Sequence, residues 1–140
     1  RHLLGRLMLP VAVALLAGCA TQPGSDADQA ALVQRATSYW EAVKANDLAK
    51  AWSYELASKT GTATLDAYLK RGGIVFDEAR VHGVPKITGD EATVPVRQRF
   101  SIPMMRLHDM KTEIHDPWRR VDGVWFHAPQ PNPLFQRKQP

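Results

Sequence analysis

The chain has a single cysteine, Cys19, among its 140 residues. One thiol cannot close an intrachain disulfide, so the fold must hold without an oxidised staple. A surplus of one charge sign is missing too. Lys and Arg number 18 against 14 Asp and Glu, and two of the cations, Arg1 and Arg6, lie in the first six residues. So small an excess excludes a nucleic-acid footprint. There is no apolar run of membrane-spanning length: Leu7 to Gly18 gives twelve uncharged residues, where a spanning helix needs about 20. No segment repeats another. The 44% hydrophobic and 23% charged shares are those of an ordinary globular protein, with room for one domain and not two.

The short apolar run has a context. Arg1, His2 and Arg6 make a positive start before it, and the run fits the hydrophobic stretch of a secretory signal peptide. It ends in Leu16-Ala17-Gly18-Cys19, which resembles the lipobox of bacterial lipoproteins. That resemblance implies a diacylglyceryl group on the Cys19 thiol, cleavage just before it, and acylation of the new amino group. Two or three acyl chains, at about 0.8 kcal/mol per buried methylene, anchor a protein where one chain does not. Ala20, rather than Asp, follows the cysteine, which in this family implies the outer membrane, with the domain facing the periplasm. The expected organisation is a leader over 1–18, a flexible tether over 19–29, a domain over 30–128 and a disordered, proline-rich tail over 129–140.

Within the domain the pattern changes once. Leu32, Ala36, Tyr39, Trp40 and Val43 recur at helical spacing. Asn46-Asp47 offers N-cap chemistry for a second helix through Leu56, and Thr64 for a third from Leu65 to Arg71, stopped by Gly72-Gly73. Beyond them, Glu78 to Ile87 reads as an irregular edge strand broken by Gly83 and Pro85. Ala92, Val94, Val96, Phe100 and Ile102 alternate with polar residues as a long half-buried strand. Lys111 to Val121 and Val124 to Ala128 make a hairpin about Asp122-Gly123, pairing Val121 with Val124, Arg120 with Trp125 and Trp118 with His127. Met104 to Asp109 is either loop or strand extension. Helices first and strands after imply an α+β fold.

The stretches "ATSYWEAVKANDLAKAWSY" (36–54) and "DPWRRVDGVWFHA" (116–128) resemble the nuclear-transport-factor-two-like superfamily, also called cystatin-like or SnoaL-like. That resemblance implies a cone, a curved antiparallel sheet packed on three N-terminal helices, with a pocket at its open end. Pocket candidates by position are Tyr39, Trp40, Tyr54, His82, His115 and Trp118, with Asp66, Asp116 and His127 as further titratable groups. None matches a family catalytic motif residue by residue, so no catalytic residue is assigned.

Two readings of function stay open. One is a non-catalytic envelope module that binds a small apolar ligand or another envelope protein. The other is a pocket enzyme of the isomerase or dehydratase type, using an Asp, His and Tyr set with the carboxylate as general base. No cofactor is expected. His108-Asp109 and His115-Asp116 match no zinc spacing, so no metal site is assigned. Arg97, Arg99, Arg106, Arg119 and Arg120 would make a basic patch if their strands are neighbours, or a solvated sheet face balanced by Glu113 and Asp122. Family sheets pair face to face, so a homodimer through the sheet is a further partner, signalled by apolar residues on its outer face.

Overall fold

Ser25 starts the first helix: its hydroxyl accepts from the backbone N–H of Asp28 at 3.1 Å, which satisfies one of the amides a helix start leaves free. The computed structural model describes residues 24–130, so the leader, Cys19 and the tail beyond Gln130 lie outside the described residues. Helix α1 runs Asp26–Lys44, followed by three one-turn helices, α2 (Leu48–Trp52), α3 (Leu56–Thr60) and α4 (Leu65–Leu69). Strands β1 (Val75–Val81), β2 (Lys86–Thr88), β3 (Glu91–Ile102), β4 (Leu107–Val121) and β5 (Val124–His127) follow, with a 3₁₀ turn, Pro103–Met105, joining β3 to β4. Among the described residues no helix is long and apolar enough to cross a membrane.

The strands form one antiparallel sheet in the order β1-β3-β4-β5, with β2 beside β3. The sheet curls into a half-barrel, with the helices before it in sequence. The α+β class is therefore observed. Alternation along β3 sets its faces. Ala92, Val94, Val96 and Gln98 are buried, while Glu91, Thr93, Arg97 and Arg99 face water. The hairpin turn has positive φ at both Asp122 (51°) and Gly123 (76°), the geometry whose twist matches the flanking strands. Its pairs are those expected: Val121 with Val124, Arg120 with Trp125, Trp118 with His127.

Several boundaries differ from expectation. The second expected helix is two, because the chain turns at Ser53–Glu55 before α3 begins. Among the described residues the α-helices thus number four. The expected strand over 78–87 is also two. Gly83 takes φ 77° and Pro85 follows, and the chain rejoins the sheet only at Lys86. Its first part begins three residues earlier, at Val75, opposite Ser101.

The most informative shift is at the start. Residues 26–29, expected in the tether, are helical, and Asp28 is 3% exposed. Its Oδ2 accepts from Arg120 Nη1 at 2.7 Å and its Oδ1 from the Trp125 indole at 2.9 Å. Burial alone would raise the Asp28 carboxyl. The Gly24 amide, Arg120 and Trp125 outweigh it and hold the carboxyl below its usual range. Arg120 was expected in a surface patch. It is instead buried, bonded also to Asp90 Oδ1 at 3.0 Å and to the Gly89 carbonyl at 2.8 Å, with its guanidinium over the Trp125 ring.

Removing one partner of a buried ion pair strands the other without its counter-charge. Asp28→Ala is therefore expected to lower unfolding free energy by about 3 kcal/mol, read from urea melts. Asp90→Ala, whose carboxylate is 73% exposed, should cost about 1 kcal/mol or less. Equal losses for the two variants would overturn this account of Arg120.

Candidate functional site

Three segments far apart in sequence meet under α1. On β4 the inward positions are Asp116 and Trp118, two apart as a strand requires. The hairpin register sets His127 of β5 opposite Trp118. The turn after α2 lays Glu55 beside β5, where the His127 amide donates to the Tyr54 carbonyl at 2.8 Å. From above, α1 lowers Tyr39 and Trp40 onto the same spot.

The result is a closed polar cluster. His127 sits between two carboxylates, Nδ1 at 2.9 Å from Glu55 Oε1 and Nε2 at 2.7 Å from Asp116 Oδ1. Carboxylates on both sides require both ring nitrogens to donate, which makes the ring an imidazolium. Asp116 Oδ2 accepts from the indoles of Trp40 and Trp118, each at 2.9 Å. The Tyr39 hydroxyl donates to Glu55 Oε1 at 2.9 Å, and its ring stacks on His127 with centroids 4.2 Å apart. Glu55, Asp116 and His127 are each 6% exposed or less.

Burial alone would lower the pKa of His127. The hydrogen bonds and charges of Asp116 and Glu55 prevail and push it up to about 9. Burial drives the Tyr39 hydroxyl far above its ordinary range, and Glu55 adds to this. Tyr68 is lifted to about 12 chiefly by burial. Around neutral pH the His127 ring therefore carries its second proton, and the phenols of Tyr39 and Tyr68 are un-ionised.

Over the cluster lies an open cleft of about 880 Å³ between the short helices and the Glu91 end of the sheet. Trp52 and Tyr68 wall it, Ala92 and Arg119 border the sheet side, and Glu55 and Trp118 reach it from the cluster. Both hydrogen bonds to the Glu55 carboxylate fall on Oε1. The interior of the cone is filled, with Trp40 6% and Trp118 1% exposed, while Trp52 and Phe100 are half-buried at its margins. The cleft is thus a depression over a packed core.

Of the six pocket candidates the structure unites three, Tyr39, Trp40 and Trp118. Tyr54 is half-buried at the edge of the cluster, its ring 6.5 Å from Tyr39 and covered by the Arg35 guanidinium at 4.8 Å. His115 and His82 do not belong to the pocket. Strand alternation turns His115 outward, away from its neighbour Asp116. His82 lies over the outer face, Nε2 2.9 Å from Glu113 Oε2 in a contact without hydrogen-bond geometry. Asp66 is exposed and paired with Lys70 at 2.7 Å.

Glu55 is the member that sequence reasoning missed, since nothing in its neighbourhood separates it from a solvated acid. Asp116 and His127 carried a signal: the register and the two-residue period put both beside Trp118.

The outer face is a charged ladder, with Arg119 on Glu91 at 2.9 Å, Arg97 on Glu113 at 3.7 Å and Arg80 on Glu78. Arg97, Arg99, Lys111 and Glu113 border a shallow hollow of about 360 Å³ on it. Among the described residues, no three His, Cys, Asp or Glu side chains are grouped to hold a metal ion.

The fold and cluster define a small α+β domain with a buried carboxylate–imidazolium–carboxylate set beneath an open cleft. No family model matches the chain, and no curated protein matches it. Among solved structures it is similar to a SEC-C motif containing protein from Rhodopseudomonas palustris, known from a solution structure. The two are 20% identical with a TM-score of 0.46, over 76% of this chain and 92% of that one. No residue role passes between them at that level.

The cluster has a pH signature. Folded His127 keeps its proton to about 9, while in the unfolded chain it releases it near 6.5. The folded state therefore binds more protons between those values, and this stabilisation is full below pH 6.5 and lost as pH rises to about 9. Urea midpoints should fall across that window, and His127→Gln should flatten the fall while lowering the whole curve. An unchanged slope in the variant would refute the assignment.

Proposed function

We propose that this chain is a lipid-anchored lipoprotein of the bacterial envelope, held at the outer membrane through Cys19, with a nuclear-transport-factor-two-like domain that works by binding rather than catalysis. The observation that carries the reading is the order of four features: cationic start, short apolar run, Leu16-Ala17-Gly18-Cys19, then polar residues. Asp26, the first residue of α1, is seven positions past Cys19. Seven residues reach about 24 Å at most, so the domain works close to the bilayer surface.

The site favours binding for a physical reason. Asp116 spends its oxygens on two indoles and an imidazolium, and both nitrogens of His127 are held by carboxylates. Groups so saturated hold the core together. The open cleft, walled by Trp52 and Tyr68, suits a small apolar ligand or an apolar segment of another envelope protein. One observation favours the enzymatic reading instead: Glu55 belongs to the cluster and also lines the cleft. An isomerase or dehydratase would use it as the base, with Tyr39 and His127 behind it.

Cys19→Ala should abolish fatty-acid labelling in cells and shift the protein out of the membrane fraction. Label that persists in the variant would sink the anchor. Native mass spectrometry of the protein extracted from envelopes should show a retained small molecule or a bound protein. A chain that is always bare, and that turns over enolisable ketones with a rate lost in Glu55→Gln, would favour the enzyme.

A further inference from the structure

The strongest apolar exposure on the domain is at the far end of the β3–β4 hairpin. Met104 is 92% exposed and Met105 65%. Register brings other apolar residues beside them. Val75, 53% exposed, pairs with Ser101 and follows Ile74 at 50%, while Met110, at 40%, pairs with Phe100. This is a convex tip. Arg106 closes the 3₁₀ turn at φ 54°, so the two methionines project beyond the last strand pair, Ile102 with Leu107.

Cations stand just behind the apolar point. Arg106 follows Met105 directly and is exposed. Arg99 and Lys111 pair across the hairpin. Asp109 lies 3.8 Å from Arg99 and 4.0 Å from Lys111, one exposed acid shared between two cations, and Glu78 opposite Arg99 is taken up by Arg80.

We propose that this tip is a membrane-contacting element that inserts Met104 and Met105 among the lipids of an anionic bilayer while Arg99, Arg106 and Lys111 meet the headgroups. A projecting apolar point fits a fluid bilayer, which needs no complementary groove, and unbranched methionine adapts to such surroundings. A cationic collar supplies attraction to anionic lipid that apolar area alone does not. The site is separate from the lipobox. The start of α1 is tied to Arg120 at the other end of the hairpin, and the twelve residues of β3 separate the ends by at most about 36 Å. The inference therefore stands or falls independently of Cys19.

The test uses the full chain with Cys19→Ser, Met104→Cys and an environment-sensitive nitrobenzoxadiazole label on the new thiol. A second labelled chain carries Thr93→Cys in place of Met104→Cys, on the outer face near the opposite end. On vesicles of phosphatidylcholine with phosphatidylglycerol, position 104 should brighten several-fold with a blue shift, and position 93 should not. The response should drop several-fold on phosphatidylcholine alone, in high salt, and with Arg106→Glu and Lys111→Glu combined. No change at 104, or an equal change at 93, overturns the proposal. So does a concentration-dependent dimer in sedimentation that Met104→Asp with Met105→Asp removes, in the absence of any vesicle response, because the tip would then meet a second copy.

Discussion

A charge buried in a small core has to find its counter-charge inside that core, and this domain is arranged around that requirement. His127 carries its proton between Glu55 and Asp116, and Arg120 carries its charge against Asp28. Desolvating such ions is costly, and only near-ideal geometry returns the cost. Here each charge finds its partner on another element: Glu55 comes from a turn between helices, Asp116 and Arg120 from β4, His127 from β5, Asp28 from the first turn of α1. The positions of helices on sheet follow from that. Tyr39 and Trp40 can descend from α1 only where their polar tips meet Glu55 and Asp116, and their rings then fill the cone.

Much of the frame was legible in the sequence because it rests on period and turn chemistry. Alternation at Ala92, Val94 and Val96 assigned β3 and its inner face, and Asp122-Gly123 fixed the register of the last hairpin pair by pair. Helical recurrence around Tyr39 and Trp40 located α1. The errors fall where a local signal was overridden by a distant partner. Ser25-Asp26-Ala27-Asp28 is polar and looks like tether, yet Asp28 is held by residues more than ninety positions away. Arg120 looks like its exposed neighbour Arg119, and only the facing carboxylate makes one a core residue and the other a surface one.

The candidate site was legible in part for the same reason. Aromatics announce themselves, and Tyr39, Trp40 and Trp118 do converge. Histidines do not, because which face of a strand they take depends on register rather than on their neighbours. His115 and His127 look equally promising in sequence, and the pleat sends the first to solvent and the second into the core. Glu55 gave no signal, since its role comes from a turn geometry and a parallel bridge to β5 that no pattern of single residues encodes.

The tie between Asp28 and the closing hairpin also bears on when the domain can form. The first turn of α1 is tied down through Asp28 by Arg120 and Trp125, which are among the last of the described residues to be synthesised. Contacts that span more than ninety residues cost loop entropy before they return anything, and they are formed late. The N-terminal segment therefore stays open while the rest is made.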